Sequence, residues 1–295
     1  MEKIVVEKDR IRVDQYLKEI YPEYSRGYLQ RLIKNGFVRI NDKYTESGHK
    51  VNSGDVVWLE FIDKEKKILP AEMPLDVIYE DDDLILVNKR PNVVVHPAGR
   101  HQTDTLINGL LFYWKNKFFP FLVHRLDKDT SGIIIVAKNE PAKEFLSRQF
   151  QNRTIEKKYL TIVDGVIKEN TGTIEAPLGR SPEMPRKIVV GPASIKAAKT
   201  FFKVKKRYKN ATYLEVRPYT GRTHQIRVHL AFIGHSVLGD VEYGIQPSIA
   251  PRQMLHASEI KFIHPSKKEP VVFSAAIPED FKDVLKKLDS EKRSV

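Results

Sequence analysis

The segment 121–138 carries the densest set of side chains that could do chemistry. Its sequence, FLVHRLDKDTSGIIIVAK, places a polar run between two apolar, strand-like stretches. The polar run supplies charge and hydrogen-bonding groups through His124, Arg125, Asp127, Asp129, Thr130 and Ser131. Catalytic groups often lie on loops that a rigid sheet supports. The same residue types also form structural turns in which Asp and Ser accept backbone N–H bonds, so the loop alone leaves both roles open.

A second polar group lies in the segment 219–240, YTGRTHQIRVHLAFIGHSVLGD. Apolar residues such as Ile226 and Leu230 recur at helical spacing and predict a helix with one buried stripe. His224 and Arg227 lie three positions apart, so their side chains should meet on an adjoining face of that helix.

The three histidines of this segment do not predict a metal site. His224, His229 and His235 are separated by five and six residues, whereas a helical zinc pair needs a spacing of four. The chain also contains no Cys, which excludes disulfides, thiolate metal ligands and a Cys nucleophile. We therefore expect no metal.

The third candidate is Tyr159, which follows Glu156 and two lysines at the start of a predicted strand. Its ring could fill the core, or it could stack on a nucleobase. Phosphate-binding glycine loops, the nucleophile elbow of hydrolases and the zinc-protease motif are all missing from the sequence. Nucleotide-driven and zinc-hydrolase chemistry therefore have no support.

The positive charge of the chain is concentrated in one segment. The 295 residues carry 50 Lys and Arg against 38 Asp and Glu, a net charge of +12. Residues 143–227 alone hold 19 Lys and Arg against seven Asp and Glu, whereas residues 1–67 hold 14 against 12. Such a segment is typical of a polyanion-binding surface, although a solvated lysine-rich face would look the same.

No stretch of the sequence has the roughly 20 consecutive apolar residues that a membrane-spanning helix needs. The first ten residues, MEKIVVEKDR, are charged and lack the apolar core of a signal peptide. We therefore expect a cytoplasmic protein that does not bind membranes, and we expect it to be a monomer.

Residues 12–61 predict a small module of two helices followed by a short twisted sheet, with Ser25 as the N-cap of the second helix. The polar face of that helix carries Arg26, Arg31 and Lys34. These cations could bind phosphates, or they could belong to an ordinary solvated face.

Residues 62–74, rich in charge and proline, predict a linker between an N-terminal domain over residues 1–61 and a larger domain over residues 75–288, and residues 289–295 are predicted to be a tail. The domain's predicted strands are 77–79, 84–88, 93–96, 121–123, 133–137, 159–163, 172–174, 200–206, 211–217 and 271–274. Its predicted helices are 105–114, 141–151, 223–233 and 279–288. This order predicts an α+β fold with a mixed, mainly antiparallel sheet and flanking helices.

Together these clusters resemble the RluA-type family of RNA pseudouridine synthases. Residues 124–127, His-Arg-Leu-Asp, continuing into Thr130-Ser131-Gly132, resemble the signature loop whose Asp is catalytic. Lys158-Tyr159 is similar to the motif that supplies an active-site Tyr. Residues 222–229, RTHQIRVH, are similar to the motif whose last Arg pairs with the catalytic Asp, and residues 234–240 continue the match.

The N-terminal module, residues 12–61, resembles the small RNA-binding domain named after ribosomal protein S-four. The resemblance therefore covers nearly the whole chain. It implies a reaction that breaks the glycosidic C–N bond of a uridine, rotates the base and rejoins it through a ring carbon. Because this is an isomerisation, no cofactor is expected.

The resemblance also implies residue roles. Asp127 would be the nucleophile or base at the sugar, Arg227 would pair with its carboxylate, and Tyr159 would stack on the flipped uracil and take part in proton transfer. Substrate contacts are expected from His124, Arg125, Arg222, Ile226 and Leu230. Contacts to the rest of the RNA are expected from Arg26, Arg31, Lys34 and Lys158.

One loop departs from the family pattern. The family has Lys-Pro-x-Gly before Val-Val-His-Pro, whereas this chain has Lys89-Arg90-Pro91-Asn92. Asn tolerates a left-handed backbone better than most residues, so we expect the turn to survive.

Three functions remain under comparison. The first is an enzyme that modifies RNA, with large-subunit ribosomal RNA preferred as substrate and transfer RNA as the alternative. The second is a ribosome-assembly factor that binds RNA or pre-ribosomal particles without catalysis. The third is a DNA-binding protein, which fits the charge but leaves the polar loop unexplained.

Overall fold

The computed structural model describes residues 2–21, 24, 26–61, 68–97, 101, 103–184, 187–191, 196–245 and 248–290. The chain divides into two compact units, Met1–Lys67 and Ile68–Val295. The predicted cap Ser25 lies outside the described residues, as do residues 62–67 of the predicted linker and residues 291–295 of the predicted tail. Among the described helices, none is long and apolar enough to cross a membrane.

The N-terminal unit has the predicted two helices and small sheet. Its elements are β1 (Glu2–Val5), β2 (Ile11–Arg12), α1 (Val13–Ile20), α2 (Arg26–Lys34), β3 (Val38–Ile40), β4 (Lys43–Tyr44), β5 (Lys50–Val51) and β6 (Val56–Leu59). Four strands pair in the order β1-β6-β3-β4, and β2 pairs with β5. The apolar faces of both helices pack on this sheet through residues such as Leu17, Leu29 and Leu32.

The larger unit is built on a mixed sheet. Its strands are β7 (Val77–Glu80), β8 (Leu84–Lys89), β9 (Phe121–Leu122), β10 (Ser131–Ala137), β11 (Glu156–Asp164), β12 (Thr171–Glu175), β13 (Leu178–Arg180), β14 (Ile188–Val190), β15 (Lys199–Arg207), β16 (Ala211–Pro218), β17 (Leu255–Ile263) and β18 (Pro270–Ser274). Its helices are α3 (Leu106–Tyr113), α4 (Glu140–Gln151), α5 (Gln225–Phe232) and α6 (Glu279–Ser290).

Within the described residues, ten strands form one sheet. Eight of them follow the order β12-β15-β16-β11-β17-β10-β8-β7, while β18 pairs with β17 and β9 pairs with β10. All pairings are antiparallel except β10 with β17. The predicted fold class is therefore confirmed. β13 and β14 form a separate small ribbon.

Two parts of the strand prediction were wrong. Residues 93–96 form no strand, because the carbonyls of Val94 and Val95 accept the N–H groups of Leu106 and Ile107 at the start of α3. Conversely, β13, β14 and the central strand β17 were not predicted. The sequence of β17, LHASEIKFI, interrupts the apolar pattern with polar side chains, of which His256 and Ser258 are buried.

The boundary residues also differ from the prediction. Residues 68–74 belong to the larger unit, because Ala71 donates its N–H to the carbonyl of Asn108 and Met73 packs against Gly109. At the other end, α6 continues to Ser290. The departing loop keeps its turn as expected, since Asn92 adopts a left-handed backbone with φ of 62°.

Candidate active site

A cavity of about 560 Å³ opens where the loop before β10, the end of β16 and the start of α5 meet. Its size lies within the roughly 300–1,000 Å³ typical of ligand pockets. Five of the lining residues are permanently or normally cationic: Arg125, Arg153, Lys157, Arg222 and Arg227. Among the described residues that line it, Asp127 is the one acid. The cavity is therefore suited to a polyanion.

Asp127 lies in the loop between β9 and β10, and buried groups hold this loop on both sides. Its carbonyl accepts the N–H of Thr130, at 3.2 Å. The ammonium of Lys89, only 1% exposed, donates to the carbonyls of Lys128, Arg90 and Val93. Burial lowers the pKa of Lys89 to about 7. The nucleophile candidate therefore has a fixed backbone.

Arg227, on the buried face of α5, connects three carboxylates. Its Nη1 donates to Asp127 Oδ2 at 3.2 Å, and its Nε and Nη2 donate to the two oxygens of Asp240 at 2.6 and 2.8 Å. Nη2 also donates to Glu242 at 3.2 Å. The bidentate contact with Asp240 fixes the plane of the guanidinium and leaves Nη1 for Asp127.

Electrostatics keep this cluster charged despite its burial. Burial opposes the charge of Arg227, but the hydrogen bonds and charges of Asp240 and Asp127 outweigh it and raise the pKa of Arg227. Burial likewise opposes the charge of Asp240, whereas its bonds to Arg227 dominate and lower its pKa. The predicted contact between Arg227 and Asp127 is present, with Asp240 as an additional anion.

Tyr159, on β11, lines the cavity and packs against two hydrophobic clusters of the larger unit. Burial, with a further contribution from the Asp127 charge, raises the pKa of its hydroxyl. The phenol therefore stays protonated at neutral pH. Both roles suggested by the sequence, core packing and a flat apolar surface inside the pocket, apply to the same ring.

His124 also lines the cavity, but its ring has a supporting role in the loop. Its Nε2 accepts the N–H of Ile135 at 2.9 Å, and its ring stacks on Phe150. Burial, followed by the charge of Lys157, lowers the pKa of His124 to about 3. The imidazole is therefore neutral near pH 7, with its proton on Nδ1.

His224 approaches the nucleophile candidate from the opposite side. It precedes α5 with a left-handed backbone, φ 53°, a conformation unusual for a residue with a side chain. Its Nε2 lies 3.7 Å from Asp127 Oδ1, and its Nδ1 lies 2.9 Å from the hydroxyl of Tyr243. Burial lowers the pKa of His224, against the opposing effect of Asp127.

The remaining predicted residues fall in different places. Arg125, Arg222 and Ile226 line the cavity. Leu230 does not, and its prediction as a wall residue was wrong: it lies one helical turn beyond Ile226, is fully buried and packs in the core. Lys158 lies outside the lining, with its ammonium 2.8 Å from Glu259.

The cations predicted on α2 of the N-terminal unit are not equivalent. Arg26 donates to the buried carboxylate of Asp14 at 2.9 Å. Arg31 lies over the ring of Tyr28, and Lys34 is exposed. Arg26 is therefore tied to the interior of its own unit, whereas Lys34 projects into solvent.

The three histidines of segment 219–240 have separate protein partners. His229 binds Thr200 Oγ1 and the carbonyl of Ala176 with its two ring nitrogens, and His235 Nδ1 contacts the carbonyl of Asp164. A different group, Asp81, Asp83 and His264, brings three possible ligand atoms within 4.8 Å of one another. Asp81 already binds His264 at 2.7 Å and accepts the N–H of Leu84.

Sequence reasoning missed four residues of the site: Lys157, Asp240, Glu242 and Tyr243. Asp240 belonged to the segment that carried the resemblance, but only the fold shows that it binds Arg227. Lys157 lies two residues before Tyr159 on β11, so the two side chains share the cavity face, whereas Lys158 between them does not line the cavity.

Comparison with known proteins defines the class. The family model described as RNA pseudouridylate synthase matches residues 83–232, and the S4 domain model matches residues 11–57. An uncharacterized RNA pseudouridine synthase of Aquifex aeolicus is 39% identical, over 96% of each chain. The chain belongs to the RNA pseudouridine synthase family, and its N-terminal unit contains an S4 domain.

Two further comparisons concern a named bacterial enzyme and a solved structure to which this chain is similar. Ribosomal large subunit pseudouridine synthase D of Neisseria meningitidis serogroup B is 39% identical, over 95% of this chain and 79% of that protein. The structure of human RNA pseudouridylate synthase domain containing 1 superimposes with a TM-score of 0.61 and 30% identity, over 70% of this chain and 84% of that one. The protein is an enzyme that forms pseudouridine in RNA.

Proposed function

We propose that this enzyme isomerises uridines of large-subunit ribosomal RNA, with Asp127 as the nucleophile and without a cofactor. The observation that supports this most is the Asp127–Arg227 contact of 3.2 Å inside a cationic cavity. The ribosomal preference rests on relatives named for the large ribosomal subunit. The enzyme would act in the cytoplasm as a monomer.

In the proposed reaction, the carboxylate of Asp127 forms a bond to C1′ of the ribose as the C1′–N1 bond breaks and its electron pair passes to N1. The detached uracil rotates, C5 forms the new bond to C1′ as the bond from Asp127 to C1′ breaks, and C5 then loses its proton while N1 gains one. Atoms and electrons balance without an external reagent. Arg227 orients the carboxylate of Asp127, because the orientation of Arg227 is itself set by Asp240.

The target base must leave its stack before Asp127 can reach the sugar. Extrusion costs a few kcal/mol, which contacts inside the pocket must offset. Tyr159 supplies a flat apolar surface for the uracil, and Ile226 supplies an apolar wall. Arg125 is exposed beside Asp127 and can occupy the space that the base leaves. Arg153, Lys157 and Arg222 would hold neighbouring phosphates.

The N-terminal unit would give a second grip on the same RNA. Exposed Arg31 and Lys34 on α2 are its candidate phosphate contacts, and Arg26 is available through its partly exposed guanidinium. Two contacts joined by one chain raise the local concentration of RNA at the cavity without new contacts there.

The substrate assignment can be tested with a pseudouridine map of total RNA. Cells lacking the gene are compared with cells carrying the wild-type gene or an Asp127→Asn allele. We expect sites to disappear from large-subunit ribosomal RNA in the deletion and in the Asp127→Asn strain. Loss confined to transfer RNA would contradict the ribosomal assignment. Restoration of the sites by Asp127→Asn would contradict the nucleophile.

The same strains separate catalysis from a pure assembly role. If the Asp127→Asn protein restores ribosome assembly although pseudouridine is missing, RNA binding has a function of its own. If it restores neither, the modification itself accounts for the phenotype.

A further inference from the structure

A buried arginine outside the cavity holds the loop that carries Asp127. Arg252 lies just before β17, is 8% exposed and is not among the cavity-lining residues. Its Nη1 donates to the carbonyl of Asp129 at 2.9 Å, and its Nη2 lies 3.3 Å from Ser131 Oγ. The neighbouring Gln253 donates to Thr130 Oγ1 at 2.9 Å. Three consecutive loop residues after Lys128 are thus held from one segment.

The charge of Arg252 is balanced by the C-terminal helix. Its Nε and Nη2 donate to the two oxygens of Asp280, at 2.7 and 3.0 Å. Asp280 is the second residue of α6, whose apolar side packs in the core through Phe281. A buried guanidinium that loses its anion is costly, so this pair fixes the guanidinium relative to α6.

The backbone of Arg252 also touches Gly239, the neighbour of the residue that orients Arg227. A Cβ built on Gly239 would overlap the carbonyl oxygen of Arg252, so the two backbones are in direct contact. Gly239 precedes Asp240, which sets the orientation of Arg227. Arg252 therefore contacts both the loop that carries Asp127 and the residue that precedes Asp240, which orients Arg227.

We propose that Arg252 and Asp280 form a positioning pair that sets the distance between Asp127 and Arg227, and that α6 is thereby part of the catalytic apparatus. Neither residue touches the substrate. The inference rests on the proposed function of Asp127. Since misplacement by about 1 Å can cost roughly 100-fold in rate, loosening this pair should slow the chemical step without weakening RNA binding.

The test uses the full-length enzyme and an unmodified large-subunit ribosomal RNA transcript labelled with tritium at C5 of uridine. Asp280→Asn keeps the side-chain volume and removes the charge. We expect its single-turnover rate to fall about 10- to 100-fold while its dissociation constant for the transcript stays within about twofold of wild type. Asp283→Asn, on the same helix in an exposed contact with Lys286, is the matched control and should match wild type.

A second variant keeps the proposal testable if Asp280→Asn fails to fold. Arg252→Lys keeps the charge, but one ammonium cannot reproduce the fork that joins the loop to Asp280, so the same separation of rate and affinity is expected. Unchanged rates in both variants, weaker RNA binding at an unchanged rate, or unfolding of both variants would each overturn the proposal. Inactive wild-type enzyme, or an active Asp127→Asn variant, would instead refute the proposed function.

Discussion

At the scale of single residues, the site is a carboxylate and a guanidinium in direct contact inside a partly closed cavity. Asp127 lies beside Arg227, and Arg227 is itself held by Asp240, which is fully buried. Because the bidentate contact with Asp240 fixes the plane of the guanidinium, Nη1 of Arg227 is held in position to donate to Asp127.

Lys157 gives the cavity a charge that titrates near the working pH. Burial lowers its pKa to about 8. Below pH 8 the ammonium is charged and can bind a phosphate, and above pH 8 the neutral amine cannot. We expect RNA affinity of the wild type to weaken by up to about tenfold between pH 7 and 9, the size of one charge-assisted hydrogen bond.

The Lys157→Arg variant separates this residue from other titrating groups. Arginine stays charged throughout that range, so the variant's affinity should change little between pH 7 and 9. Lys158→Arg is the control, because Lys158 pairs with Glu259 outside the cavity, and its profile should follow the wild type. A Lys157→Arg profile as steep as the wild-type profile would show that Lys157 does not bind the RNA.

At the scale of secondary-structure elements, the parallel pairing of β10 with β17 places the catalytic loop. Gly132 lies opposite Ala257 in this pairing and has a φ of 111°. A Cβ at Gly132 would overlap the carbonyl oxygen of Ala257. The sharp turn after the loop therefore depends on the absence of a side chain.

Gly132→Ala should separate β10 from β17 and destabilise the larger unit by about 3 kcal/mol or more. Urea unfolding measures this change. Gly221→Ala is the matched control, because the nearest atom to its Cβ position is Lys157 Nζ at 3.8 Å, and its change should stay within about 1 kcal/mol. Equal unfolding midpoints for the two variants would contradict the close approach.

Sequence patterns predicted most elements because apolar periodicity reports which face of an element is buried. They could not distinguish a cavity wall from the core, and so Leu230 was placed beside the substrate although it packs on the sheet. They also missed β17, whose buried His256 and Ser258 look solvent-facing in sequence. The two ring nitrogens of His256 contact Ser131 Oγ and the carbonyl of Ala275. Because both nitrogens have partners, the ring can be buried without losing hydrogen bonds.

The candidate site, like the fold, was predicted only in part. The resemblance predicted the pairing of Asp127 with Arg227 across 100 residues of sequence, and the contact is there. Of the two supports of that pair, Asp240 lies 13 residues after Arg227, whereas Arg252 binds the carbonyl of Asp129 across 123 residues of sequence. No local pattern contains the contact of Arg252, because it joins elements far apart in the chain.

At the scale of the whole molecule, the net positive charge is unevenly divided between the two units. Most of the net charge of +12 belongs to the larger unit, since residues 1–67 hold 14 Lys and Arg against 12 Asp and Glu. Several cations of the basic segment 143–227 are nevertheless paired with acids, as in the contacts of Lys158 with Glu259 and Arg217 with Glu215. Among the cavity cations, Arg227 binds Asp127, Asp240 and Glu242, whereas the other four have no salt bridge to an acid within the described residues.

RNA affinity should therefore fall steeply as the salt concentration rises, and the steepness should depend on the cations that line the cavity. Arg153→Gln removes one exposed lining cation and should reduce the slope of log affinity against log salt by about 0.7–0.9. Lys117→Gln, an exposed lysine before β9 that does not line the cavity, should leave the slope unchanged. Affinity independent of salt would contradict a phosphate-binding cavity.

The most direct test of the central claim is tritium release from C5-labelled large-subunit ribosomal RNA transcript by purified Asp127→Asn enzyme. The substituted amide keeps the size of the side chain, but it cannot act as a nucleophile or pair as an anion with Arg227. We predict that the variant binds the transcript with wild-type affinity and releases no tritium above background. Asp129→Asn, two residues further along the same loop and outside the cavity lining, should release it nearly as fast as wild type. Wild-type release by Asp127→Asn would contradict the account.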